Sequence, residues 1–158
     1  MAGYSGTPLP KKLGLKEKQR LALVGAPAGF SLGALPDGVR TSSSLAGKEP
    51  LDVIVLFVKA RAALEKQFVP AAKRLTPAGR LWVAWPKKAS GVKTDLTEDV
   101  AREVGLPQGL VDNKVCAIDE TWSGLQFVWR LENRLKAAAA SPPRDKRRAG
   151  ARSSRPSR

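Results

Sequence analysis

The sequence predicts an α/β protein with a small, doubly wound, mostly parallel sheet that ends in an antiparallel hairpin and is followed by a basic tail. Strand-like and helix-like segments alternate up to Glu132, the pattern of a sheet covered by helices. Asp52 to Val58 is almost continuously apolar and rich in β-branched residues, as expected of a strand buried on both faces. Beyond Glu132 the composition changes: residues 133–158 hold nine basic side chains against one acid, net +8 of the chain's formal +14.

Each element has its own signals. Thr7-Pro8 with Gly14 reads as a short first helix, threonine as N-cap, proline in the first turn and glycine beyond the end. Leu21 to Val24 is a buried strand running into Gly25-Ala26-Pro27-Ala28-Gly29, and Val39 to Ser42 is a weaker second strand. The Asp52 strand is expected at the centre. Arg61 to Leu75 puts Leu64, Phe68, Ala71, Ala72 and Leu75 on one helical stripe, with Pro70 inside it.

Thr76-Pro77-Ala78-Gly79 is read as a turn into a strand over Arg80 to Trp85. Asp95-Leu96-Thr97-Glu98 has the D-x-x-E spacing of a capped helix, with Leu96, Val100 and Val104 facing inward and Gly105 and Pro107 ending it. Lys114 to Ile118 and Leu125 to Leu131 flank a turn-rich Asp119 to Gly124 and predict the closing hairpin.

At 158 residues the chain is one domain's worth, able to bury about two-thirds of its unfolded surface. The division expected is a domain over 1–132 and a largely disordered tail over 133–158. Arg144, Lys146, Arg147, Arg148, Arg152, Arg155 and Arg158 make that tail either a nucleic-acid tether or a solubilising extension. The absence of histidine excludes Ser-His-Asp chemistry and histidine-ligated metals, and no metal site is expected. Cys116, the lone cysteine, reads as a small strand hydrophobe. No apolar run is long enough for a signal peptide or a membrane span, so a cytoplasmic protein without membrane contact is expected.

Two stretches resemble the class I S-adenosylmethionine methyltransferase fold: Leu13 to Gly25, like the approach to its first strand, and Leu75 to Val83, like its late turn and strand. A closer resemblance is to the bacterial domain of unknown function family 3052. It is carried by Gly3-Tyr4-Ser5-Gly6-Thr7-Pro8-Leu9, Lys11-Lys12-Leu13-Gly14, Trp85-Pro86-Lys87-Lys88-Ala89-Ser90-Gly91, Thr94-Asp95-Leu96-Thr97-Glu98-Asp99-Val100 and Asp119-Glu120-Thr121-Trp122-Ser123-Gly124. That family brings no established activity. The methyltransferase resemblance implies a shortened version of that fold, lacking one strand–helix unit between Ser44 and Asp52. It also implies an acid and three glycines after the first strand, and an acid after the second for the ribose hydroxyls. Here stand Val24-Gly25-Ala26-Pro27-Ala28-Gly29 and Thr41-Ser42-Ser43-Ser44, so no cofactor is expected and S-adenosylmethionine is disfavoured.

If the strands are ordered as in that fold, four segments share the carboxyl rim of the sheet, where ligands bind. They bring Gly25, then Lys59 and Arg61, then Trp85, Lys87, Lys88, Ser90 and Gly91, and finally Asp119, Glu120 and Trp122. The cations and Ser90 suit an anion, Trp85 and Trp122 suit a flat ring, and Asp119 or Glu120 is a weak acid/base candidate. Trp82 and Trp129 are read as core. The leading expectation is a non-catalytic binding or accessory module for nucleic acid or a phosphorylated ligand. The alternative is a divergent transferase acting on an anionic substrate. An acidic protein partner, or a homodimer covering an exposed sheet edge, stays open.

Overall fold

The computed structural model describes residues 8–134. Most of the expected tail, including all seven cations assigned to it, and the Gly3 to Thr7 string lie outside the described residues. A helix α1 (Leu9–Lys12) leads into β1 (Arg20–Val24), β2 (Arg40–Ser42) and β3 (Leu51–Phe57). Helix α2 (Arg61–Arg74), β4 (Leu75–Pro86), α3 (Glu98–Gly105), β5 (Leu110–Ala117) and β6 (Trp122–Trp129) follow. The six strands form one sheet in the order β2-β1-β3-β4-β6-β5. The first four are parallel, and β6 runs antiparallel to both β4 and β5. This is the mostly parallel sheet with an antiparallel end that the sequence predicts.

Strand alternation divides the core between two faces. Ile54 and Leu56 of β3 meet α2 through Leu64, Phe68 and Ala71, and Phe68 packs edge-on against Phe127 of β6, ring centroids 5.3 Å apart. Val53, Val55 and Phe57 point to the opposite face, which Leu13, Leu15, Phe30 and Leu32 cover. Trp82 lies at full burial there and donates its indole N–H to the Leu13 carbonyl at 3.2 Å. Every residue of β3 is buried, as its composition predicts.

Several local expectations are corrected. The N-cap of α1 is Pro8, which has no side chain to cap with, rather than a threonine. Thr76 to Gly79 is extended chain at the start of β4 rather than a turn. Leu51 pairs with Leu75 and Val53 already with Arg80, so β4 carries surplus residues in a bulge opposite Asp52. Thr97, not Asp95, caps α3, its Oγ1 accepting from Val100 N at 3.1 Å. Asp95 serves α2 instead: its Oδ1 accepts from Arg61 N at 2.7 Å, where the N-cap residue Ala60 has no side-chain acceptor. Trp129 is only half-buried, and its indole nitrogen has no partner among the described residues.

The connection from Gly25 to Val39 holds no helix, and neither does the one from Ser43 to Pro50. The shortened fold expected from the sequence is thus realised by loops, with the three-residue β2 on the edge of the sheet. Among the described residues, no helix is long and apolar enough to cross a membrane.

Candidate functional site

The chain leaves β1 towards β2 on one side of the sheet, while β3 lies on the other side of β1. The carboxyl ends of β1 and β3 therefore bound the crevice at which an open α/β sheet receives ligands. Gly25 marks it: its φ is +75°, and a Cβ there would stand 2.9 Å from the Phe57 carbonyl oxygen. Only glycine lets the two strand ends approach so closely.

A cleft of about 340 Å³ opens between these ends, lined by Gly25, Pro27, Phe57, Val58, Lys59, Ala60, Ala63, Gln67 and Trp122. A second, of about 370 Å³, adjoins it and is walled by Pro27 to Phe30, Lys59, Val92, Asp119, Thr121 and Trp122. Pro27, Lys59 and Trp122 belong to both. Trp122 packs edge-on against Phe57 at 5.2 Å, and Phe57 against Phe30 at 4.9 Å, so an aromatic row underlies the pair of clefts.

Lys59 is fixed through its main chain: its carbonyl accepts from Thr94 Oγ1 at 2.6 Å and from Asp95 N at 3.3 Å. Its exposed ammonium makes no ion pair among the described residues. Asp119 accepts at Oδ1 from Thr121 N (2.8 Å) and Trp122 N (2.7 Å), which shapes the hairpin turn and aims Trp122. Glu120 is exposed and lines neither cleft. Of the two carboxylates weighed on the sequence, Asp119 is the one at the site.

Gly25, Lys59, Trp122 and Asp119 are thus brought together. Lys87, Lys88, Ser90 and Gly91 form a neighbouring lip, tied to the hairpin by a hydrogen bond from Lys87 N to the Thr121 carbonyl at 2.8 Å. The Ser90 hydroxyl is spent within that lip, donating to the Lys87 carbonyl at 2.6 Å and accepting from Val92 N at 3.1 Å.

Two expected members stand elsewhere. Trp85 is buried in the core facing the helices, because strand alternation turns it away from Trp82 and Trp122. Arg61 pairs with Glu65 and Glu103, whose hydrogen bonds hold its guanidinium pKa above the ordinary value, and it borders a smaller hollow between α2 and α3.

Sequence reasoning passed over Gln67. It lines the first cleft one helical turn beyond Ala63, and its amide Oε1 is buried with no hydrogen-bond partner among the described residues. The available signal was a lone uncharged polar residue at i+4 from a small one.

No family model and no curated protein matches the sequence. Solved structures do. A SAM dependent methyltransferase from Aquifex aeolicus is similar over 74% of this chain and 85% of its own, with 18% identity and a TM-score of 0.52. Fibrillarin from Aeropyrum pernix, in complex with natively bound S-adenosyl-L-methionine, is similar over 80% and 70%, with 14% identity and a TM-score of 0.50. A DhpI–SAH complex is similar over 78% and 83%, with 9% identity and a TM-score of 0.55. The fold is methyltransferase-like.

These neighbours overturn the expectation that the chain has no cofactor and that S-adenosylmethionine is disfavoured: one is a SAM dependent methyltransferase, one holds S-adenosyl-L-methionine and one its demethylated product. The residues present offer the group a cleft between two strand ends that Gly25 lets approach closely, with the amide-bearing Gln67 in its lining. They supply no carboxylate for the ribose. There is no acid between Val24 and Pro36 or between Ser42 and Lys48, and Ser42 closes on Ser44 through two hydrogen bonds.

Proposed function

We propose that this chain binds a nucleoside of the S-adenosylmethionine class in the cleft between β1 and β3 and is a divergent methyltransferase acting on an anionic substrate. The observation that carries this reading is the cleft of about 340 Å³ at the switch point of the sheet, lined by Gly25, Lys59 and Gln67, in a fold similar to that of a SAM dependent methyltransferase. Gly25 lets the two strand ends that bound the cleft close together, Gln67 lines it from α2, and Lys59 sits where the nucleoside cleft meets its neighbour. The group would supply an electrophilic methyl carbon; Asp119 is the residue placed to receive a proton from the acceptor. Calorimetry with S-adenosylmethionine and S-adenosylhomocysteine tests the proposal. Saturable one-to-one heat that disappears in Gln67→Leu is expected, and a flat trace with both compounds rejects it.

A second reading, a module that binds without transferring, draws on the missing carboxylates after β1 and β2. In it Lys87, Lys88 and Lys93, none of them ion-paired among the described residues, meet nucleic acid together with the basic tail. Binding to labelled RNA that weakens steeply with salt, without turnover of S-adenosylmethionine, separates it from the first. Both readings take the protein to work in the cytoplasm and to be a relative of family 3052, whose motif strings it resembles.

A further inference from the structure

We propose that the second cleft, walled by Phe30, Lys59, Val92, Asp119 and Trp122, is a subsite for a flat, ring-bearing carboxylate that also carries a hydrogen-bond-donating nitrogen or hydroxyl. The inference rests on the reading of the adjoining cleft as the nucleoside site and names the substrate class that would meet it there.

Three features of the wall select this chemistry. One cation reaches into the space: Lys59, with its main chain pinned by Thr94 and Asp95 and its ammonium unpaired. A single ammonium matches a monoanion; a phosphate dianion would leave charge uncompensated beside Asp119. Asp119 uses Oδ1 for the two main-chain N–H groups of the hairpin turn, and its Oδ2 has no partner among the described residues. It repels an anion and accepts from a donor, so the ligand must be bipolar, anionic towards Lys59 and protic towards Asp119. The rest of the lining includes Phe30, Trp122 and the partly exposed Val92, which suit an apolar ring.

Space and access agree. The cleft holds about 370 Å³, and Gly29 at its wall has a φ of +79° with nothing within 4 Å of where a Cβ would be. Pro27, Lys59 and Trp122 also line the nucleoside cleft, so the two ligands would lie on either side of a shared partition.

The test uses the full chain and three probes: 4-aminobenzoate, benzoate with the anion alone, and aniline with the donor alone. Chemical-shift changes in ¹H–¹⁵N spectra are followed at Lys59, Thr121 and the Trp122 indole, with and without S-adenosylhomocysteine. We expect 4-aminobenzoate to bind at least about tenfold more tightly than either single-function probe, a difference of about 1.4 kcal/mol. Lys59→Met should weaken both carboxylates by a similar factor. Asp119→Asn, which keeps an oxygen for the turn, should erase the advantage of 4-aminobenzoate over benzoate. Absence of shifts at the cleft with all three probes, or affinities untouched by Lys59→Met, overturns the subsite. Because the probes are titrated without S-adenosylhomocysteine as well, failure of the nucleoside reading shows as silence at Gln67 and Gly25 and is distinguishable from failure here.

Discussion

Asp95 Oδ1 accepts the main-chain N–H of Arg61 at 2.7 Å, so the loop before one helix caps the helix before it. The same loop grips the Lys59 carbonyl through Thr94 Oγ1 and Asp95 N, and the position of the site's cation is therefore set by the start of α2 and the approach to α3 together. Asp95→Ala removes this cap and is expected to cost about 1 kcal/mol in urea unfolding. It should also broaden the Lys59 amide resonance, since the Asp95 loop no longer holds α2.

Gly25→Ala forces a Cβ to within 2.9 Å of the Phe57 carbonyl at a left-handed φ. A loss of about 1–3 kcal/mol is expected from the strain, read as a lower denaturation midpoint with an unchanged slope. Binding of S-adenosylhomocysteine should fall with it. Gly29→Ala, with open space around it, should bear only the conformational cost.

Gln67→Leu separates stability from binding. Removing an unmatched buried acceptor should leave the protein as stable or raise its stability by about 1 kcal/mol, while nucleoside binding disappears. If binding survives in a stabilised variant, Gln67 is a packing residue and nothing more.

Phe68→Ala in α2 empties the centre of the helix-side core, where the ring lies at full burial against Phe127. A cost of about 3–5 kcal/mol is expected, a large share of the stability of a domain this size.

Cys116 gives a pH-dependent signature. Burial pushes its thiol above the ordinary value of 9.0, and the nearby charges of Lys12 and Lys114 pull less strongly the other way. The folded chain therefore holds the thiol proton more tightly than the unfolded chain. The resulting stability is complete below about pH 9 and is lost as the pH rises through the folded-state pKa. Alkylation by iodoacetamide at pH 8 should be slow in the native protein and fast in urea, and Cys116→Ala should flatten the alkaline decline in stability.

Much of the fold was legible because burial leaves long, uniform signals. The apolar run of β3 and the stripe Leu64, Phe68, Ala71 of α2 stand where composition and spacing put them, and the closing hairpin exists, although β5 begins earlier than Lys114 and β6 takes in Trp122 to Gly124, read as turn, and ends at Trp129. What escaped depends on pairing between segments remote in sequence. Nothing within Thr76 to Gly79 says that those residues are drawn out as a bulge, because Leu51 and Val53 impose that register from another strand. Nothing near Asp95 says that it caps Arg61, 34 residues away. At the rim the sequence placed Gly25, Lys59 and Trp122 but also Trp85, whose direction follows from the alternation of β4, and it passed over Gln67, whose unmatched oxygen is visible only in three dimensions.

The surplus residues at the start of β4 act as slack in the thread. From Arg80 onward the strand is locked pairwise to β3, so lengthening or shortening the stretch before it would be absorbed near the amino edge. Trp122 and the Lys87 loop, fastened to the far end of the same strand, would keep their places. Variation in chain length at that point is thereby insulated from whatever chemistry the opposite edge performs.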